Sequence, residues 1–115
     1  MIIAVVGASN NQEKYGSKVL RYLHGRGEHV IPINPHEKMI DGLQAYPCLS
    51  QAPLPELVVF VVLPSVTEQV LEEVQQLGIK NAWMQPGSES EKAIAFCKQH
   101  GISCTHHACI MLAQG

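Results

Sequence analysis

The strongest constraint on this chain is a six-residue run, Leu57-Val58-Val59-Phe60-Val61-Val62, that contains no polar residue. A strand with one face in water alternates apolar and polar positions, so an unbroken apolar run indicates a strand covered on both faces. Ile2-Ile3-Ala4-Val5-Val6 has the same character and stops at Gly7-Ala8-Ser9. His29-Val30-Ile31-Pro32-Ile33, closed by Asn34-Pro35, reads as another strand, irregular at Pro32 because proline cannot donate to a ladder. Residues 79–84 and 102–105 complete a set of five.

Helical stripes fill the intervals. Val19, Leu20 and Leu23 form one that ends near Gly25 and Gly27; Val66, Val70, Leu71, Val74 and Leu77 form another, stopped by Gly78. Ile94 and Cys97 face inward on a third, ended by Gly101. Ser65 with Glu68, and Ser88 with Glu91, have the spacing of capping boxes. The tail over 108–113 is expected to be helical. Residues 36–55, rich in Pro, Gly and polar side chains, read as an extended crossover with a short helix near Leu49.

Strands alternating with helices mean an α/β fold: a three-layer, Rossmann-like, doubly wound parallel sheet of about five strands. Right-handed crossovers point to the strand order 3-2-1-4-5. With 115 residues and no linker, repeat or low-complexity tract, the chain reads as a single domain over 1–115.

Charge removes several classes of partner. Eight Lys and Arg against ten Asp and Glu leave −2, so neither nucleic acid nor an anionic membrane is expected. No apolar stretch reaches bilayer length, and residues 1–8 lack a charged leader, which points to the cytoplasm. Cys48, Cys97, Cys104 and Cys109 then read as free thiols in a reducing compartment. A hydrophobic content of 46% leaves a homodimer open, and no protein partner is indicated.

In open parallel sheets, ligands bind beyond the carboxyl ends of the strands. Gly7-Ala8-Ser9 opens a loop there whose small residues let a phosphate approach the backbone, and the helix starting near Gly16 adds its N-terminal dipole. Lys14 and Lys18 supply charge; Tyr15 is the ring candidate on this loop, whereas Trp83 reads as packed under a helix. The G-x-G-x-x-G fingerprint fails at Ser9 and Gln12, and Asn34 stands where an acidic residue would take the ribose hydroxyls of NAD. An NAD-dependent oxidoreductase or redox-sensing domain is therefore an alternative rather than the first reading. Another is a metal-binding module at Cys104-Thr105-His106-His107-Ala108-Cys109, although the spacing is not that of a zinc finger. Glu68, Glu72, Glu73, Glu89 and Glu91 fall mostly on helix surfaces and form no acid–base constellation.

Four segments together resemble a known family. Ala4-Val5-Val6-Gly7-Ala8-Ser9, Lys14-Tyr15-Gly16, Pro32-Ile33-Asn34-Pro35 and Trp83-Met84-Gln85-Pro86-Gly87, in this order, resemble the stand-alone CoA-binding domain proteins. Their fold is that of the N-terminal domain of the succinyl-CoA synthetase α subunit. The resemblance implies non-catalytic binding of coenzyme A or an acyl-CoA thioester, with no metal. Gly7, Ala8, Ser9, Lys14, Tyr15 and Gly16 would take the pyrophosphate, while Asn34 and Pro35 would border the adenosine. Lys38 would reach a ribose phosphate, Val62, Leu63 and Pro64 would line the nucleotide, and Gln85 and Pro86 would edge the pantetheine path. Synthetases of this type use a phosphorylated histidine from a further domain; none is expected here, which favours a binder over an enzyme. Two positions depart from the pattern: His36 replaces a lysine after Asn-Pro, and Ala108 replaces an arginine before Cys109. Cys109 reads either as a small buried hydrophobe or as a thiol able to form a mixed disulfide with CoA. Lys14→Ala and Gly7→Val are each expected to weaken CoA binding and leave the fold intact.

Overall fold

A computed structural model of the chain describes residues 1–112. The five expected strands are β1 (Ile2–Val6), β2 (His29–Ile33), β5 (Leu57–Phe60), β6 (Asn81–Met84) and β7 (Ser103–Thr105), all paired in parallel. The helices are α1 (Tyr15–Gly25), α2 (Pro64–Gln76) and α3 (Glu91–Gln99). β3 (Met39–Ile40) and β4 (Leu43–Gln44) form a separate antiparallel hairpin, and Leu49–Gln51 make one 3-10 turn, the short helix expected near Leu49.

Both faces of the sheet are covered, which is why its strands are continuously apolar. Along β1, Ala4 and Val6 join the core shared with Leu71 and Val74 of α2 and Ala93 and Cys97 of α3. Ile3 and Val5 point the other way, onto Val19, Leu20 and Leu23 of α1. Val5, Val19, Leu20, Val58, Val59, Phe60 and Leu71 are wholly buried. Each such side chain contributes about 1.5–3 kcal/mol of transfer free energy.

The architecture is the doubly wound parallel sheet expected, but one strand lies elsewhere. The order is β2-β1-β5-β6-β7, so the third main strand sits beside β1 instead of beyond β2; in the expected numbering this is 2-1-3-4-5, not 3-2-1-4-5. Pro32 gives the physical reason. Its carbonyl accepts from the Tyr46 amide on the outer side of β2, where the missing Pro32 N–H would also point. A central strand would leave a gap in its ladder there, and an edge strand does not. The chain therefore doubles back after β2, and Leu49 packs on the α2 face on its way to β5. Reversing direction while keeping right-handed crossovers puts the later part of that connection, from Leu49, on the face opposite α1, whereas Ile40 and Ala45 before it pack in the core on the α1 side.

Three local expectations are corrected. Pro64 occupies the first position of α2, with Leu63 as N-cap, so Ser65 lies inside the helix and caps nothing. Glu68 instead accepts from the Ser90 hydroxyl (2.7 Å), which ties α2 to the start of α3. Ser90, rather than Ser88, caps α3 by accepting from the Ala93 amide (3.0 Å). Finally, residues 106–112 form bends and turns, not a helix, and Ala113 lies outside the described residues. The half-buried Trp83 on β6 and the buried Gln85 just after it capture the backbone groups such a helix would need: Trp83 Nε1 donates to the Ala108 carbonyl (2.8 Å) and the Ile110 amide donates to Gln85 Oε1 (2.8 Å). Among the described residues no helix is long and apolar enough to cross a membrane.

Candidate functional site

The strand ends meet the start of α1 at two glycines. Gly7 has φ +99°, and a Cβ there would strike the Val61 carbonyl oxygen and the Val62 side chain. A Cβ on Gly16 would strike the Gly7 carbonyl. Without those two side chains the first turn of α1 seats directly on the β1–α1 loop. At the start of α1 the Lys14 amide donates to the Asn11 carbonyl (3.0 Å) and the Ser17 amide to the Lys14 carbonyl (3.1 Å), which leaves the amides of Tyr15 and Gly16 at the positive end of the helix dipole. Lys14 is the N-cap residue and no acidic residue lies in the first turn.

The loop is held by side-chain amides. Asn34 Nδ2 donates to the Ala8 carbonyl (2.9 Å), while its Oδ1 accepts from the amides of His36 (2.8 Å) and Glu37 (3.2 Å). Asn10 Nδ2 donates to Glu37 Oε1 and to the Met39 carbonyl, both at 2.9 Å, clamping the loop to the β3–β4 hairpin. The Asn11 amide donates to the Ser9 hydroxyl (3.0 Å). Asn34 thus shapes the loop with every polar atom of its side chain already engaged.

Two cavities open side by side at this end of the sheet. The polar one, about 550 Å³, is lined by Gly7, Ala8, Ser9, Lys14, Gly16 and Asn34, together with Glu13, which sequence reasoning missed. The second, about 630 Å³, is lined mainly by apolar groups, among them Leu63, Pro86, Cys109 and Leu112. Tyr15, Val61 and Val62 line both, so the two form one cleft with a more polar end and an apolar end. The Tyr15 ring carries the Lys18 ammonium 5.2 Å from its centroid. Glu13 beside Lys14 offsets part of the positive charge.

Most of the sequence-predicted residues come together here, and three do not reach either chamber. Pro35 lines a smaller cavity of about 190 Å³ that shares Gly7, Asn34 and Val62 with the cleft. Pro64 opens α2 and lines neither chamber; Lys38 lies beside the hairpin, its carbonyl accepting from Ala45. Ser88 and Leu112 were absent from the expected residues. The Ser88 hydroxyl accepts from the Val62 amide (3.0 Å), fixing the end of β5 against the β6–α3 loop.

Gln85 closes the apolar end. It is only 3% exposed, and its side chain takes the Ile110 amide and donates to Cys109 Sγ (3.3 Å), which holds the tail across the chamber. The Cys/His cluster is split apart: the Cys104 thiol donates to Met84 Sδ (3.8 Å), and Cys109 faces Gln85. Among the described residues no three potential ligands converge on a metal position. A hydrogen bond with Cys104, reinforced by burial, pushes the Cys97 thiol well above its ordinary value; the same bond holds Cys104 below its own against the effect of burial. His106 and His107 sit with Nδ1 atoms 2.6 Å apart, and His107 Nε2 is 3.8 Å from Glu89. Burial works to raise the Glu89 pKa, but the backbone bonds from Glu89 and Gly87, with His107 nearby, hold it below the ordinary value.

Comparison with known proteins agrees with this geometry. Residues 2–114 match the family model described as a CoA binding domain. A conserved hypothetical protein from Pyrococcus furiosus superposes with a TM-score of 0.94 at 40% identity, over 97% of both chains. The α subunit of the ADP-forming acetate–CoA ligase II of Pyrococcus furiosus is 35% identical over 80 residues, which are 68% of this chain and 18% of that subunit. Acetyl-coenzyme A synthetase 1 of Ca. Korarchaeum cryptofilum superposes with a TM-score of 0.79 at 30% identity, over 90% of this chain and 25% of that one. The chain thus spans less than a fifth of the ligase subunit. By the extent of the family match and the fold that carries it, the chain belongs to the CoA-binding domain family.

Proposed function

We propose that this protein binds coenzyme A or an acyl-CoA thioester non-covalently in the strand-end cleft and performs no chemistry on it. The observation that carries this reading is the junction of the two chambers at Tyr15, Val61 and Val62. Coenzyme A joins a polyanionic nucleotide to a long, weakly polar pantetheine arm. The glycine loop, the α1 N-terminus and Lys14 suit its phosphates; the apolar chamber suits the arm. Pro35 and Val62, around the smaller adjoining cavity, suit the adenosine side. Lys38 has a lesser part in this reading than its place in the sequence suggested.

Binding without catalysis is supported by what surrounds the Cys109 thiol in the cleft. The polar partner of Cys109 is the Gln85 amide, a hydrogen-bond donor that cannot take up its proton. The test is isothermal titration of the full chain with CoA, with NAD as a parallel arm. Saturable one-to-one binding of CoA alone is expected. Binding of NAD in its place would move the protein to the oxidoreductase or redox-sensing reading.

A further inference from the structure

The apolar chamber carries information about the far end of the ligand. Among the described residues lining it there is no Lys, Arg or His. The Gln85 side chain is turned toward the tail, accepting from the Ile110 amide and donating to Cys109, and the Ser88 hydroxyl accepts from Val62, which leaves the neutral Ser88 and Tyr15 hydroxyls as donors in the chamber. Leu63 and Leu112 line the same chamber yet are 73% and 82% exposed, so apolar surface remains uncovered at its mouth.

We infer that the cleft prefers a thioester with an uncharged, apolar acyl group to free coenzyme A, and discriminates against acyl groups that end in a carboxylate. This rests on the CoA-binding reading above. The occupant follows from continuity: a ligand anchored by its phosphates in the polar chamber passes Tyr15, Val61 and Val62 and carries its acyl end into the apolar one. There a methylene chain removes Leu63 and Leu112 from water and is itself desolvated. A carboxylate in the same place loses hydration and finds no cation in return, only neutral donors.

The experiment is titration calorimetry of the full chain, under reductant, with CoA and its acetyl, butyryl, hexanoyl and succinyl thioesters. Each fully buried methylene tightens binding by up to about fourfold, so hexanoyl-CoA is expected to bind at least about tenfold tighter than acetyl-CoA. Succinyl-CoA, matched in carbon number to butyryl-CoA, is expected to bind about tenfold more weakly than it. Leu112→Asp should narrow the hexanoyl-to-acetyl ratio, and a ratio it leaves unchanged overturns the placing of the acyl end. Equal affinities for acetyl and hexanoyl thioesters, with CoA itself bound, overturn the inference and leave the CoA reading standing. Absence of binding by all five ligands overturns both.

Discussion

Gly16 lies so close to Gly7 that a Cβ at position 16 would overlap the Gly7 carbonyl oxygen. This contact seats the first turn of α1 on the end of β1, where Tyr15 and Gly16 line the polar chamber. Alanine ordinarily stabilises a helix over glycine by about 1 kcal/mol. At this position the sign is expected to reverse: Gly16→Ala should destabilise by about 1–3 kcal/mol through overpacking and should also weaken CoA binding. A lowered urea midpoint at unchanged m-value is the measurement.

Gly7→Val differs from what the sequence alone implies. The left-handed backbone at Gly7 and the adjacent Val61 carbonyl mean that this change acts on the fold as well as on the ligand. A fall of several degrees in Tm without ligand is expected, and an unchanged Tm would show that the loop can relax. Lys14→Ala remains the clean probe of binding. It should leave Tm in place and weaken CoA about three- to tenfold, with the loss shrinking as salt is raised; Lys14→Arg should restore most of it.

Gln85→Leu tests the anchor of the tail. The Ile110 amide loses its acceptor and Cys109 loses its donor. A cost of about 1–3 kcal/mol is expected for the orphaned buried amide. Faster hydrogen exchange at Ile110 and faster alkylation of Cys109 should accompany it. If stability falls while both local rates stay at wild-type values, Gln85 supports the fold and not the tail.

Glu89 fixes the direction of one pH effect. Its folded pKa lies below the ordinary glutamate value, so its contribution to stability is present above that ordinary value and is lost as pH falls through the folded pKa. Denaturant titrations from about pH 6 down to pH 3 should show Glu89→Gln losing less stability than the wild type. Parallel curves would remove Glu89 from the acid response.

The alternation of strand and helix was legible because continuous apolar runs and helical stripes mark buried and half-buried elements directly. The position of the cleft followed, since the glycine loop and Asn34-Pro35 lie at strand ends in any doubly wound order. Strand order is less accessible: in the sequence Pro32 reads only as a local irregularity, and in the fold it also marks β2 as an edge. The β3–β4 hairpin carries a local signal in Asp41-Gly42. Asp41 and Gly42 both have positive φ (52° and 75°), the turn that an Asp-Gly pair favours. The tail could not be read locally, because its path is set by Trp83 and Gln85, more than twenty residues earlier. Leu112 as a cleft residue depends on that same path.

The most direct measurement is thermal unfolding of the full chain under reductant, with and without CoA. A ligand at about 100 times its dissociation constant stabilises the native state by roughly 2.7 kcal/mol. For a domain of this size that is a rise in Tm on the order of 10 °C. A concentration-dependent rise with CoA, reduced in Lys14→Ala, is the expected result. A Tm that does not move with CoA up to millimolar concentration contradicts CoA binding in this cleft.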